Sequence, residues 1–391
     1  MNRKKMSGET ILILGGGVGG LVASNILKEK LGDQATVRLV ERKRQFQFPP
    51  SYPWLMLGQR KPEQVQKDLS LLKKKGIEVI NDEVESINTE ENVVKSKGRD
   101  DELSYDHLII ALGAEYAPDA IPGFKEHAHH IYDLDSAVRF KEAVEKFEGG
   151  TIAVGVSRTP FKCPAAPYET ALLLEDYYSK KGMRSKVRFE FFTPEGSPVP
   201  SVGPEIGSKV AEFLKSKNIS YHPKLKVTEI RDGEARFENG ESISFDLLFC
   251  VPPHKASKPV VDAKLTDETG WIPVNPRTLE TKHNGIYAVG DVTSLPTPNG
   301  YVPLLPKAGV FAHGQAEVVA NNISVQIKGR GKMKEWDGHG SCFLEVGHGE
   351  SAFVKGRFLA EPKPEIEFHM PERVWHMQKV LFEKYWMRHW F

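Results

Sequence analysis

Thr10–Gly20, TILILGGGVGG, restricts the fold more than any other stretch of the chain. Ile11–Leu14 is a β-branched apolar run of the kind that forms a buried parallel strand, and it breaks into Gly15–Gly20 where a helical pattern, Leu21–Lys30, begins. Gly15, Gly17 and Gly20 stand at GxGxxG spacing: one for a tight turn, one for close backbone approach to a pyrophosphate, one for packing helix on strand. The N-terminus of such a helix offers unpaired N–H groups to phosphate oxygens. A second strand, Val37–Val40, ends in Glu41, about 20 residues past the last glycine, where an acid accepts hydrogen bonds from a ribose hydroxyl. Strand, turn, helix and acid together predict an α/β fold that opens on a dinucleotide-binding domain.

At 391 residues the chain is long enough for two or three domains. Lys+Arg of 53 against Asp+Glu of 52 leaves a net charge of +1, a balance that does not point to nucleic acid. There is no run of eighteen apolar residues, and MNRKKMSGET leads into the first strand without an apolar segment, so neither a bilayer span nor a signal peptide is expected. Three cysteines, Cys163, Cys250 and Cys342, make no disulfide framework and no CxxC pair, and no metal site is expected.

Along the chain, Phe46–Trp54 is rich in aromatics and proline, which suits either core packing or the wall of a flat cofactor. A short helix over Lys67–Lys75 stops at Gly76, and strands follow at Ile77–Ile80 and Val84–Ile87. Tyr105–Gly113 reads as a buried strand ending in a small-residue turn at Ala111 and Gly113, a second point of close backbone approach. Ala117–Gly123 marks a domain boundary. In a second βαβ pattern, Thr151–Val156 is followed by Arg158, Thr159 and Pro160 where a nicotinamide dinucleotide needs glycine, and the strand Val187–Phe192 leaves its acid, Glu195, in a turn. Cys163 and Pro164 precede the helix Ala165–Lys180, a position where the helix dipole favours thiolate; a buried packing cysteine is the plainer alternative. Cys250, at the end of a buried strand, reads as packing.

Further on, Glu205–Lys217 reads as a helix, and Val227–Ile230, Ala235–Phe237 and Ser242–Val251 read as strands joined at Asp232-Gly233 and Asn239-Gly240. Asn284–Asp291 is a strand ending in Gly290-Asp291, where an acid suits a ribityl chain or a turn cap, and a helix runs from Ala308 to Gln326. Glycines around Cys342 leave room beside its sulfur. In the tail, Met370–Phe391, five aromatic residues interleave with Arg373, Lys379, Lys384 and Arg388, the pattern of an interfacial membrane helix or of a helix packed on protein.

Read whole, the chain resembles the flavoprotein disulfide reductase superfamily with its two dinucleotide domains. Within it the chain is similar to the sulfide:quinone oxidoreductases and, less closely, to the flavoprotein subunit of flavocytochrome c sulfide dehydrogenase. The carriers are GGGVGG with Glu41, Leu108–Gly113, Cys163–Glu169 (CPAAPYE), Gly290-Asp291, Pro306–Gly309 and Cys342. The resemblance implies two Rossmann-like domains, the FAD domain in two parts (1–118 and 285–330), a degenerate NAD-like domain (119–284) carrying Cys163, and a C-terminal region (331–391) with Cys342 and an amphipathic helical tail. FAD would meet Gly15, Gly17, Gly20, Glu41, Val84, Ala111, Gly113, Gly290, Asp291, Lys307, Ala308 and Gly309. It would be non-covalent, since Tyr132 stands where many members carry a third cysteine, some of them flavin-linked, and Gln45–Trp54 holds none.

Cys163 and Cys342 would face the flavin as a redox pair with Glu169 as acid–base partner. Hydrosulfide would open their disulfide or trisulfide, and reduced flavin would pass electrons to a quinone held near Lys307 and Phe343. The implied partners are sulfide, a membrane quinone, the membrane surface through the tail, and further copies of the chain as a homo-oligomer, with peripheral membrane placement. Alternatives of the same fold are an NADH:quinone reductase and a cytochrome-linked sulfide dehydrogenase; a non-catalytic flavin-binding scaffold is the third.

Overall fold

The computed structural model describes residues 8–391. Its first sheet is fully parallel, in the order Ile286–Ala288, His107–Ile110, Glu9–Leu14, Ala35–Val40, Glu78–Ile80. Ile11–Leu14 is completely buried because both faces are covered. Ile11 and Ile13 point to the helices Val18–Leu31 and Gly309–Lys328, whereas Leu12 and Leu14 point to a three-stranded antiparallel sheet, Val84–Asn88, Val93–Ser96 and Leu103–Ser104. Because Ile286–Ala288 pairs with His107–Ile110, the chain re-enters this first sheet after a long excursion.

That excursion forms a second parallel sheet in the order Ile219–His222, Val187–Phe192, Gly150–Val156, Leu247–Val251. Ile152, Val154 and Val156 face the helix Ala166–Lys180, and Ala153, Leu248 and Cys250 face a second antiparallel layer built on Val227–Arg231 and Glu234–Phe237. The C-terminal region folds as three antiparallel strands, His339–Gly347, Glu350–Arg357 and Glu365–Glu372, followed by the helix Arg373–His389. Leu344, Val346 and Ala352 of this sheet join the core of the second domain, while Trp386, Met387 and Trp390 of the helix join the core of the first. The C-terminal region therefore clamps the two domains together.

Three local expectations change. Lys67–Lys75 is a strand end and a 3-10 turn, Leu69–Lys75, which ends at the left-handed Gly76 as expected. Ser242–Val251 is two strands in different sheets, Ser242–Ser244 and Leu247–Val251. The tail is helical only from Arg373, because Glu365–Glu372 extends the C-terminal sheet. The Phe46–Trp54 loop is core: Phe46 stacks on Trp386 and Phe48 packs on it at a tilt, with centroid distances of 5.0 and 5.2 Å.

Candidate active site

The glycine turn is a preformed cradle. Gly15 has φ +101°, a conformation that excludes ordinary side chains, and a Cβ there would sit 2.3 Å from the Ala111 carbonyl oxygen. A Cβ on Gly20 would lie 1.8 Å from the Gly15 carbonyl oxygen, which fixes helix against turn, while one on Gly17 would meet nothing within 4 Å. Gly17 caps the helix Val18–Leu31, whose first turn carries no acid and no side-chain cap. The helix Gly309–Lys328, capped by Ala308, likewise begins without acid or side-chain cap, and Gly309 lies so near Val18 that its Cβ would be 3.5 Å from Cγ2. Two positive helix ends thus converge on one open space, as an anionic pyrophosphate requires.

Glu41 lies at the end of the second strand with its carboxylate accepting from the amides of Gly16 (2.6 Å) and Lys43 (2.8 Å), leaving lone pairs for a ribose hydroxyl. Gly113 is left-handed with open space where a Cβ would stand. Val84 is buried in the core with Leu14 and Val40. Gly290 donates its amide to Gln315 (2.7 Å), and the buried Oδ1 of Asp291 has no partner among the described residues. That orphaned acceptor beside an open cradle fits a polyol hydroxyl. Lys307 is buried; its ammonium donates to the Asp291 carbonyl (2.6 Å) and lies 3.4 Å above the Trp271 ring, and burial lowers its pKa to about 7.

In the second domain the corresponding turn is filled. The Arg158 guanidinium donates to the carbonyls of Ser157 (2.7 Å) and Val227 (2.5 Å), Phe161 is buried, and a Cβ on Gly155 would fall 2.0 Å from the Phe192 ring. A nicotinamide dinucleotide has no glycine cradle there.

Cys163 comes out of this filled turn with φ +51°, a left-handed conformation that costs a non-glycine residue about 1–3 kcal/mol. Neighbouring hydrogen bonds hold it: its amide donates to the Lys307 carbonyl (2.7 Å), its carbonyl accepts from Ala166 (2.9 Å), and Lys162 and Lys307 form a parallel bridge. The strained cysteine is thereby tied to the segment that leads into the Gly309 helix. Cys342 is brought up on the strand His339–Gly347, where Gly340 packs so closely on Phe311 that a Cβ would overlap the ring. Both thiols are free, and each acts on the other's ionisation at close range.

The dipole expectation for Cys163 is corrected. The helix starts at Ala166, past the cysteine. The Cys163 thiol is the proton donor toward Cys342, and this, then burial, then the charges of Cys342 and Glu169 push it above its ordinary range, while the same interaction holds Cys342 below its own. Cys342 is the better thiolate. Cys250 is fully buried, and burial pushes its thiol up, so it packs as expected.

Glu169 sits in the first turn of the Ala166 helix, and burial raises its pKa although the Lys379 ammonium opposes this. It accepts from Lys379 and from the Glu345 amide (3.1 Å) at the free edge of the Cys342 strand. Glu345 in turn holds His376 at 2.8 Å. Phe343, on the opposite face of that strand from Cys342, turns to Phe353 (4.9 Å), which stacks on Trp375. Lys307 and Phe343, expected to line a quinone pocket, rest against Trp271 and Phe353 respectively.

Sequence reading missed Lys379, Glu345 and His376 as site residues. A signal was present: Lys379, Glu383, Trp386 and Trp390 fall on one helical stripe, and all four are buried. Met377, Leu381 and Tyr385 fall on another and are 58–61 % exposed. Two charges, Lys379 and Glu383, are thus buried beside tryptophans, while Met377, Leu381 and Tyr385 lie outside with Arg373, Lys384 and Arg388.

Fold and site define a flavin-type oxidoreductase with two dinucleotide domains, one of them plugged, and a dithiol between them. Residues 9–316 match the pyridine nucleotide-disulphide oxidoreductase family, and the chain belongs to it. It is similar to the mitochondrial sulfide:quinone oxidoreductase of Mus musculus, 27 % identical over 92 % of this chain and 80 % of that one. It is likewise similar to the sulfide-quinone reductase of Aquifex aeolicus, 28 % identical over 96 % and 90 %. The crystal structure of the sulfide:quinone oxidoreductase from Aquifex aeolicus shares the fold, with TM-score 0.89 and 24 % identity over 98 % of this chain and 91 % of that one.

Proposed function

We propose that this chain is an FAD-dependent sulfide:quinone oxidoreductase working through Cys163 and Cys342. The observation that carries the reading is the meeting of two thiols far apart in sequence, close enough to set each other's ionisation and anchored through the Cys163 amide to Lys307 beside the cofactor cradle. Bound in that cradle, FAD would supply a two-electron acceptor that a quinone can reoxidise. The protein's own part is thiol chemistry. Hydrosulfide attacks the Cys163–Cys342 disulfide; the S–S bond breaks, one sulfur leaves as thiolate and the other becomes a persulfide. Cys342, held below the ordinary thiol range, is the better leaving group. Glu169, uncharged more readily than an ordinary carboxyl, stands beside the pair to exchange a proton.

Arg158 and Phe192 oppose an NADH-linked reading, because they fill the turn a nicotinamide cofactor would need. Membrane docking is supported by the outward stripe of Met377, Leu381 and Tyr385, continued by Val374 and Met370, and no helix among the described residues is long and apolar enough to cross a bilayer. Such a face suits peripheral binding and brings the enzyme to a lipid-soluble quinone. Anaerobic sulfide should bleach the oxidised flavin of the wild type and leave Cys163→Ala and Cys342→Ala yellow; equal bleaching of all three removes the cysteines from the reaction.

A further inference from the structure

Behind the thiol pair, four titratable side chains form a file to the surface, and only the first, Glu169, has a role so far. The Lys379 ammonium donates to Glu169 Oε1. Glu345 Oε1 lies 3.8 Å from the same ammonium and has no hydrogen-bond partner among the described residues, while its Oε2 meets His376 Nδ1 at 2.8 Å. The Glu169, Lys379 and Glu345 side chains are 5 %, 6 % and 2 % exposed, but His376 is 29 % exposed. The file therefore starts at the sulfurs and ends in solvent.

A purely structural ion pair does not account for this arrangement. A buried ammonium needs one carboxylate; here two face it, and the second keeps an unmet oxygen aimed at the nitrogen. Burying three charges is a poor way to dock a helix that already buries Trp386 and Trp390. An unpartnered acceptor within reach of a long, flexible side chain marks a second resting place for that side chain.

We propose that Glu169, Lys379, Glu345 and His376 form the proton outlet of the sulfur pair, with Lys379 swinging between the two carboxylates. The proposal rests on the sulfide reading, in which attack by HS⁻ leaves one S–H on the persulfide. Glu169 takes that proton: S–H breaks and O–H forms. Once neutral, Glu169 no longer holds the ammonium, which turns to Glu345, gives it a proton, and returns as an amine to take the one on Glu169. Glu345 passes its proton to His376 Nδ1 when the imidazole is in its Nε2–H tautomer, His376 releases the Nε2 proton to solvent, and exchange of the ring protons with solvent restores that tautomer for the next cycle. No electrons move, each group regains its charge, and one proton leaves per sulfide oxidised. The other groups facing the file are Cys163 and Cys342, the Trp54 ring, 4.8 Å from the Lys379 ammonium, and the Arg60–Glu383 pair one turn further along the helix. Arg60 and Glu383 neutralise each other at 2.8 Å. His376, Lys379 and Glu345 touch no substrate and are positioning and proton-carrying residues.

The test is single-turnover bleaching of the FAD-loaded enzyme by sulfide, anaerobically, between pH 6 and 9. His376→Ala and Glu345→Gln should each slow bleaching about tenfold or more, the low end of what proton transfer contributes. Lys379→Arg, which keeps the charge but cannot release a proton, should slow it as well. Added imidazole should restore His376→Ala and leave Glu345→Gln slow, a distinction that loss of structure does not produce. If the wild type bleaches while His376→Ala keeps its rate across the pH range, or loses it without rescue by imidazole, the outlet is wrong and the sulfide reading stands. A wild type that sulfide does not bleach removes the sulfide reading and the outlet with it.

Discussion

Lys379→Met isolates the energetics of the buried cluster. It removes the single cation between Glu169 and Glu345, side chains that are 5 % and 2 % exposed. At the observed 3.8 Å separation, the attraction lost to Glu345 alone is about 4 kcal/mol for an effective dielectric of about 20. The folded protein escapes a larger loss by protonating Glu169. Relative to an unfolded-state carboxyl near 4.3, that costs about 4 kcal/mol at pH 7.5 and about 1 kcal/mol at pH 5. The carboxyl pKa values of the variant lie above their unfolded values, so the folded state binds the extra proton, and stability is lost as pH rises. Urea unfolding followed by tryptophan fluorescence should therefore show a loss of as much as about 4 kcal/mol at pH 7.5, shrinking to about 1 kcal/mol at pH 5. Lys379→Met/Glu169→Gln should recover most of the loss, because the stranded charge is gone. Equal losses at both pH values, or a double variant no better than the single, would refute the reasoning.

Glu195, the acid displaced into a turn, is pushed up to about 7 by burial and has, among the described residues, only the Thr193 hydroxyl, at 3.3 Å, as side-chain partner. Its proton-linked stability is complete below about 4.5 and is lost as pH rises through about 7, so Glu195→Gln should exceed the wild type by about 1–3 kcal/mol at pH 8.5 and match it near pH 4.5 in urea titrations. Met377 and Leu381 are both 61 % exposed, so Met377→Glu/Leu381→Glu should leave the melting temperature in place. The same pair should cut cosedimentation with phospholipid vesicles about tenfold or more, since burying each such side chain is worth about 1.5 kcal/mol or more; unchanged sedimentation removes the docking face.

The first domain was legible because its signals are local. Glycine spacing, β-branched runs and a strand-end acid each dictate their own neighbourhood, and the cradle around Gly15, Gly17 and Gly20 follows from backbone sterics alone. The filled turn at Arg158 was legible for the same reason. The state of Cys163 was not, because position relative to a helix suggests one direction while the partner thiol, brought from the far end of the chain, imposes the other. The placement of Phe343 was equally hidden, since only the register of the C-terminal sheet sets it against Phe353 and on the opposite face from Cys342.

The tail illustrates a subtler limit. Composition marks Arg373–His389 as amphipathic, and the ordinary inference places aromatics on one side and charges on the other. The helix instead buries Lys379 and Glu383 beside Trp386 and shows Met377, Leu381 and Tyr385 to solvent. Each buried charge finds a partner contributed by a distant segment: Glu383 meets Arg60 and Ser51, and Lys379 meets Glu169. A helix that gained its apolar contacts only from protein would have no reason to turn these charges inward and leave three large apolar side chains in water. The inversion makes sense if a second apolar medium covers the outer stripe. The same helix then carries, on its inner side, the ammonium that neutralises the sulfur site, so the groups that face the thiols and the groups that face that medium are held in one rigid element.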